Sequence, residues 1–392
     1  MRFVIHIGTH KTGSSSIQAF SAENRDIMLS RGVVYPLTLH SNKNLNHLAA
    51  RIAGGQPADL ERLVARAAKL ATRNNARVVL LSAESFYAMA GFFYCLEGRD
   101  VGDYIERERA YIQSIGRLIP SDDVTIVCHL RRQDEFLESL FAQRVKAVPG
   151  FAGSIATFAE LARDILDYAL HLNLWADAFG ADNVVVRPYH MVKDHLLQDF
   201  MKQAVAFSQL DEFRPLKSRL NTRLSCDAIE FKRILNRLDV PQEEMLLLGR
   251  GLDEIARALG PNREETTFLR SNTRRALVGQ HQAGNAHIAS HYVPERPEHL
   301  FPAVETDSAY APYPGLDVAD AVAMYRQSRL MLDRPRPRME ILCRRILRQG
   351  RNVIPGFDRA LNVLRMIYYR RLPFLRRRKW TAPANGRTNG MP

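Results

Sequence analysis

The sequence predicts an α/β fold: a doubly wound parallel sheet flanked by helices. Apolar runs of strand length alternate along the first half of the chain with longer amphipathic segments. Strands that alternate with helices are typical of a parallel sheet with helices on both faces. The first apolar run also leads through a glycine-containing loop into a helical segment, which is a common place for an anion site in such folds.

Each element is predicted from its own pattern. Four buried strands are expected, over residues 2–7, 77–81, 124–130 and 183–187. The first helix is expected over residues 14–31, because Ile17, Phe20 and Met28 share one face and Gly32 follows. Further helices are expected over residues 57–74, 101–118 and 133–147, and residues 195–292 show helical patterns without clear strands.

These patterns also predict the domain order. Residues 1–300 form the α/β domain, which is helical from about residue 195. Residues 293–316 are a loop rich in proline and acidic residues. Residues 317–380 are a basic helical C-terminal extension broken by prolines, and residues 381–392 are a disordered tail.

The composition excludes several classes of protein. The chain has 392 residues, of which 46% are hydrophobic and 25% are charged, so it is neither wholly disordered nor a polytopic membrane protein. No apolar run approaches 18 residues and no signal peptide is recognised, so we expect a cytoplasmic location. The four cysteines lie far apart without metal-ligand spacing, which suits a reducing compartment.

The positive charge is concentrated at the C-terminus. Residues 326–392 hold 18 Lys and Arg against three acidic residues, which gives this segment a net charge of +15. The whole chain carries +13, so residues 1–325 carry a net charge of −2. A basic tail indicates an anionic partner. Residues 354–380 place apolar residues at helical spacing among arginines, so this stretch either packs on the body or contacts an anionic membrane peripherally, at the inner face. No specific nucleic acid is expected, because aromatic residues do not interleave regularly with the basic ones.

The loop between the first strand and the first helix is the strongest motif. Residues 8–16 read GTHKTGSSS and combine two glycines, a lysine and several hydroxyls at a helix N-terminus. Backbone N–H groups in such a loop bind anions. Gly8 and Gly13 have the spacing of the nucleotide P-loop, but Ser14 stands where that motif needs lysine, and Lys11 lies inside the loop. The sequence therefore predicts a phosphate-binding loop that is not an ATP motif.

A second phosphate-binding pair follows the strand at residues 124–130. Arg131 comes directly after this strand, and Ser139 lies eight residues further on, in the next helix. An arginine offers a fork of donors to a dianionic phosphate, and the serine adds a hydroxyl. Arg132 is the alternative, at a spacing of seven from Ser139. The structural alternative is that Arg131 is a surface residue that binds no ligand.

Glu84 is the predicted general base. It follows the strand at residues 77–81, and the carboxyl ends of parallel strands face one crevice, so its side chain is expected near Lys11. An N-cap role for Glu84 is the structural alternative. His40 and His47, in the polar segment HSNKNLNH, are alternative bases or acceptor contacts.

With these motifs, the chain resembles the PAPS-dependent sulfotransferases, a family with a P-loop NTPase-like fold. VIHIGTHKTGSSSIQAF, followed by GVVYP, is similar to their 5′-phosphosulfate loop, and Arg131 with Ser139 is similar to their 3′-phosphate motif. Glutamate followed by serine after the strand resembles the glycan-modifying branch, and the chain looks like a bacterial-type member. The resemblance implies in-line transfer of a sulfuryl group from 3′-phosphoadenosine 5′-phosphosulfate (PAPS) to a hydroxyl or amine of a carbohydrate or glycolipid, without a metal.

The resemblance also assigns roles to residues. The catalytic candidates are Lys11, Glu84 and, as a second candidate for the base, His47. The residues expected to bind the donor are His10, Lys11, Thr12, Gly13, Ser14, Ser15, Ser16, Arg131, Ser139 and Arg223, the last from the late basic stretch at residues 217–223.

Two other hypotheses stay open. A P-loop kinase or NTPase is disfavoured by the missing lysine and by the lack of an apolar strand that ends in an Asp suited to Mg²⁺. A membrane-surface binding protein with a vestigial loop is suggested only by the basic tail. The sequence does not identify the acceptor, the oligomeric state or the role of residues 317–392.

Overall fold

A computed structural model describes residues 1–38, 44–88, 104–216, 224–260, 265–305, 311–335, 337–342 and 344–345. The chain divides into two compact units, Met1–Leu332 and Asp333–Pro392. The helix Val318–Leu332, which the sequence analysis placed in the basic extension, belongs to the first unit. The predicted site residues His40 and Arg223, and the tail from residue 346, lie outside the described residues.

The first unit is organised around a parallel sheet of five strands. These strands are β1 (Arg2–His6), β2 (Val33–Val34), β3 (Val78–Ser82), β4 (Val124–Leu130) and β5 (Val184–Pro188). Their order across the sheet is β2-β3-β1-β4-β5, and every pair is parallel. The carboxyl end of the central strand β1 therefore lies between those of β3 and β4. The four predicted strands are confirmed; β2 was missed because two residues are too short to form a recognisable apolar run.

The helices follow the predicted alternation. Those of the first half are α1 (Ser14–Glu23), α2 (Arg25–Ser30), α3 (Asn46–Ala53), α4 (Ala58–Arg73), α5 (Tyr104–Arg117), α6 (Gln133–Lys146), α7 (Ile155–Leu161), α8 (Tyr168–Phe179), α9 (Tyr189–Val192) and α10 (Leu196–Val205). The later ones are α11 (Cys226–Leu235), α12 (Gln242–Arg250), α13 (Leu252–Ala256), α14 (Ser271–Gln280), α15 (Gln282–His291) and α16 (Val318–Leu332). A short parallel pair, β6 (Thr266–Thr267) and β7 (Ala311–Pro312), interrupts the part predicted as helices and loop.

The sheet has a hydrophobic core on each face. Phe3 and Ile5 of β1 belong to one core and Val4 to the other, and all three side chains are fully buried. The second core is closed by α1 and α10, through residues such as Ile17 and Phe200. Complete burial of one such side chain contributes about 1.5–3 kcal/mol. Helices therefore cover both faces, and the predicted doubly wound α/β fold class is confirmed.

The helix predicted over residues 14–31 is in fact two helices that meet at Asn24. The buried Asn24 side chain donates from Nδ2 to Phe20 O at 3.0 Å and to Arg214 O at 3.1 Å. Its Oδ1 accepts from Arg214 N at 2.7 Å. A side chain that bonds to backbone groups competes with helix continuation. The break is thus made by a contact 190 residues away in sequence, which the local periodicity could not reveal.

No helix within the described ranges is both long and apolar enough to cross a membrane.

Candidate functional site

The loop that joins β1 to α1 turns through three left-handed residues. Gly8, Lys11 and Gly13 have φ values of 36°, 68° and 79°. A Cβ on Gly8 would lie 2.8 Å from Ser14 Oγ and 2.9 Å from His6 Nε2, and one on Gly13 would lie 2.2 Å from Leu196 Cδ2. The left-handed conformation favours glycine at both positions, and any larger residue would also force a neighbouring side chain to shift. Lys11 adopts the same region with a full side chain, at a cost of about 1–2 kcal/mol. Backbone strain is therefore stored at Lys11, the loop residue for which the family resemblance implies a catalytic role.

Hydroxyl groups hold this loop in shape. Thr9 donates to His129 O from its backbone N at 3.1 Å and from Oγ1 at 2.9 Å, which ties the loop to the end of β4. Thr12 Oγ1 and Ser14 Oγ then donate to Thr9 O at 2.8 and 3.3 Å. Both side chains are buried. The hydroxyls of Thr12 and Ser14, both predicted to bind the donor, thus form hydrogen bonds within the loop. Their contact with a ligand stays a prediction.

The N-terminus of α1 has the features expected of an anion site, and anion binding there stays a prediction. Gly13 is the N-cap residue and supplies no side-chain cap. Ser15 is exposed and Ser16 is half-buried, so this end of the helix is accessible. The first N–H groups of a helix have no partner within it, and the helix dipole favours negative charge there. The geometry suits a phosphate or sulfate oxygen.

Two further cations and one carboxylate act on Lys11 in the loop. Desolvation and the positive charges of Lys146 and Arg131 lower the pKa of Lys11, while Glu84 acts in the opposite direction. The Lys11 ammonium group therefore lies within electrostatic reach of all three side chains. Lys146 was not predicted as a site residue. Lys146 lies seven residues after Ser139, two turns along α6, and this spacing could have identified it from the sequence.

Glu84 lies beside the loop, as predicted. It begins the short 3₁₀-helix Glu84–Phe86, directly after β3, whose last residue Ser82 pairs with His6 of β1. The N-cap of that helix is Ala83. The structural alternative, in which Glu84 caps the following segment, is therefore wrong.

The Glu84 carboxylate has two polar neighbours. Its Oε1 lies 3.5 Å from His10 Nδ1 and accepts a hydrogen bond from Asn46 Nδ2 at 3.3 Å. Burial raises the pKa of Glu84, but the close approach and charge of His10, the charge of His6 and the hydrogen bond from Asn46 outweigh it, and the net pKa is below the ordinary value. Glu84 is therefore ionised at neutral pH and able to accept a proton.

His47, the second candidate for the base, has another neighbour. Its Nε2 lies 3.0 Å from Thr38 Oγ1, within hydrogen-bond distance. The adjacent residue Asn46 makes the contact with Glu84 instead. Asn46 was missed by the sequence analysis, although it lies in the same polar segment at the start of α3.

The two arginines after β4 have different surroundings. Arg131 is partly exposed and donates from Nε to Glu135 Oε2 at 2.7 Å. Arg132 is only 5% exposed and binds Asp134 through two hydrogen bonds of 2.7 and 3.1 Å. Ser139 is partly exposed on α6. Between the two arginines weighed for the phosphate role, the accessible one is Arg131, which is also the one with the predicted spacing.

The described residues contain no group of three or more His, Cys, Asp or Glu side chains arranged to hold a metal ion.

Comparison with known proteins gives one structural similarity to report. No family model matches the sequence, and no curated protein matches it. A solved structure of a sulfotransferase from Alicyclobacillus acidocaldarius is similar with a TM-score of 0.33 and 16% sequence identity. The similarity covers 56% of this chain and 85% of that chain.

Proposed function

We propose that the protein is a sulfotransferase that moves a sulfuryl group from PAPS to a hydroxyl or amine of an acceptor, which we expect to be a carbohydrate or glycolipid. The observation that supports this most directly is the contact between Glu84 and His10. An ionised carboxylate therefore lies beside the loop that carries Lys11 and leads into the helix N-terminus that we expect to bind an anion.

The charges around the site fit a donor with several anionic groups. The N–H groups at the start of α1, with Lys11, would hold the phosphosulfate. Arg131 and Ser139 would hold the 3′-phosphate, because the guanidinium of Arg131 is accessible and Ser139 lies on the helix that begins two residues later. Arg223, which was also expected to bind the donor, lies outside the described residues.

Catalysis in this proposal comes from groups fixed before the reaction begins. The acceptor oxygen attacks sulfur in line with the bond to the leaving phosphate, and Glu84 takes the proton of the acceptor. Lys11 and the N-terminus of α1 stabilise the negative charge that grows on the leaving phosphate oxygen. One fixed donor of this kind contributes about 3 kcal/mol to lowering the barrier.

The test is transfer of ³⁵S from labelled PAPS to a panel of glycans and glycolipids by the full chain, with a chelator in place of added metal. Label on at least one acceptor is expected, together with binding of the product 3′-phosphoadenosine 5′-phosphate (PAP) in calorimetry. A parallel reaction with γ-labelled ATP and Mg²⁺ examines the kinase hypothesis. Phosphate transfer in that arm, or failure to bind PAP, would overturn the proposal.

A further inference from the structure

We propose that His10 and Asn46 are positioning residues for Glu84: they hold its Oε1, so that Oε2 is the atom that accepts the proton of the acceptor. This inference rests on the proposed function, and it changes the role of His10 from donor binding to alignment of the base.

The contacts of Glu84 divide unequally between its two oxygens. Oε1 receives both neighbours, His10 Nδ1 at 3.5 Å and Asn46 Nδ2 at 3.3 Å. No hydrogen-bond donor in the described part of the chain contacts Oε2. The side chains of His10 and Glu84 are 16% and 18% exposed, so the carboxylate is enclosed but can still be reached. A carboxylate held through one oxygen has a fixed direction for the lone pairs of the other.

The orientation of the Asn46 amide is fixed by a second contact. Asn46 Oδ1 accepts from Ser85 N at 3.3 Å, so the amide must turn its Nδ2 donor to Glu84. Asn46 N in turn donates to Asn44 Oδ1 at 3.3 Å, and Asn44 Nδ2 donates to Gln18 Oε1 at 3.3 Å. Gln18 is a buried residue of α1. This chain of amides therefore connects Glu84 to the helix whose N-terminus forms the anion site.

His10 completes the connection from the other side. It precedes Lys11 in the loop, so the loop conformation that places the lysine also places the imidazole. The charged or titratable groups that act on Glu84 are His10 from the loop and His6 from β1, and Glu84 and Lys11 act on each other. Removal of His10 therefore takes away both a contact that aligns the carboxylate and the main influence that keeps its pKa low.

The proton transfer can be written with all atoms accounted for. The O–H bond of the acceptor breaks, its proton goes to Glu84 Oε2, and its electron pair forms the new bond from oxygen to sulfur. The bond between sulfur and the 5′-phosphate oxygen breaks, and its electron pair stays on the phosphate. Glu84 returns the proton to solvent after the products leave.

The experiment compares His10→Ala with His10→Asn in the full chain. Asparagine carries an N–H donor on Cγ, where histidine carries Nδ1, so it can keep the contact that alanine loses. We expect His10→Ala to lower kcat roughly 10- to 100-fold, a loss like that seen when the outer hydrogen-bond partner of a metal ligand is removed. KM for PAPS should stay nearly constant, and His10→Asn should recover most of the rate. The exposed His299→Asn serves as the control variant.

The pH dependence separates positioning from a purely structural role. Because His10 lowers the pKa of Glu84, His10→Ala should raise that pKa and move the acid limb of kcat/KM to higher pH, and Asn46→Ala should do the same to a smaller extent. The titration of Glu84 itself is followed by infrared difference spectra against Glu84→Gln, which need no activity. Circular dichroism at each pH establishes that the variants are folded.

The outcomes decide between the two proposals. An acid limb and a Glu84 titration that stay in place in a folded His10→Ala protein would overturn the positioning role while leaving sulfation intact. A shifted titration in a protein that transfers no sulfate to any acceptor would keep the His10–Glu84 coupling and overturn the sulfotransferase proposal instead.

Discussion

Arg131 Nε, just before α6, donates at 2.7 Å to Oε2 of Glu135 in the first turn of that helix. The two side chains are 30% and 38% exposed, and ion pairs this accessible to solvent contribute only about 0–1 kcal/mol. A phosphate dianion can therefore replace Glu135 as the partner of Arg131 at small cost. Arg132, the next residue, is buried against Asp134 and cannot exchange this partner for a phosphate at small cost.

Loss of the proposed 3′-phosphate contacts should affect nucleotides selectively. Arg131→Ala and Ser139→Ala are expected to weaken binding of PAP while leaving adenosine 5′-phosphate, which lacks the 3′ group, almost unchanged. A charge-assisted hydrogen bond contributes about 1.5–3 kcal/mol, so Arg131→Ala should weaken PAP binding at least tenfold. Isothermal calorimetry with both nucleotides measures this, and equal weakening of the two contradicts the assignment.

Removal of the competing carboxylate should have the opposite effect. Glu135→Gln leaves Arg131 in place but removes its anionic partner, so we expect PAP to bind several-fold more tightly, most clearly at low salt. Arg132→Ala is the contrasting variant, because it leaves the buried Asp134 without one of its partners and should destabilise the fold by about 3–5 kcal/mol. Thermal melts alongside the binding series distinguish the two effects. Unchanged or weaker PAP binding by Glu135→Gln would show that Glu135 does not compete.

Lys11→Ala should lose activity without losing stability. The ammonium group belongs to a cluster of cations around the loop and fills no core, so its removal takes away charge stabilisation only. We expect turnover to fall by about 10²–10³-fold, as for the loss of one oxyanion donor. The melting temperature should stay near that of the wild type. Global unfolding, or turnover close to wild type, would contradict the assignment of Lys11.

Glu84→Gln should abolish transfer while the donor still binds. Glutamine keeps the shape of the side chain and removes its basicity, and loss of a general base typically costs about 10²–10⁴-fold in rate. Single-turnover rates and PAP affinity are measured on the same preparation. A loss of no more than about threefold in turnover would be far smaller than the loss expected for a general base. Another residue would then be the base.

Acid should destabilise the fold through two buried histidines. Burial lowers the pKa of His6 to about 4, partly opposed by the charge of Glu84, and burial together with the charges of His6 and Arg187 lowers the pKa of His129. The unfolded chain therefore binds these protons first as the pH falls below about 6.5. His6 alone should remove about 2 kcal/mol of stability between pH 7.5 and pH 5.

Urea unfolding at the two pH values tests this prediction. Neither ring nitrogen of His129 has a hydrogen-bond partner among the described residues, and its ring lies beside Phe200. His129→Phe should therefore fold and should lose less stability on acidification than the wild type. Equal unfolding free energies of the wild type at pH 7.5 and pH 5 would contradict the assignment.

The basic tail motivates a proposal about location. We propose that residues 354–380 contact an anionic membrane surface, where each basic residue contributes about 1 kcal/mol before screening by salt. The full chain should then sediment with anionic liposomes at low salt and be released at high salt. Replacement of Arg376, Arg377, Arg378 and Lys379 by glutamine should weaken sedimentation and leave PAP binding unchanged. Failure of the wild type to sediment would leave an anionic acceptor as the better explanation of the charge.

The fold could be predicted from sequence because its signals are local. Buried parallel strands appear as short apolar runs, and four of the five strands of the main sheet were found in this way. The loop at residues 8–16 was recognisable because its two glycines, its lysine and its three serines all lie within nine residues. The short strand β2 and the break at Asn24 were missed, since one is fixed by pairing with β3 and the other by a hydrogen bond to Arg214.

From the sequence alone it was possible to say which residues follow the carboxyl ends of β1, β3 and β4, and to expect the side chain of Glu84 near Lys11. Tertiary structure alone decided the contacts that surround those residues. It buried Arg132 and left Arg131 accessible, turned His47 to Thr38, and brought Asn46 and His10 to one oxygen of Glu84. The physical reason is that strand and loop signals depend on neighbours in the chain, whereas the contacts and pKa of a carboxylate depend on groups that folding brings together from distant segments.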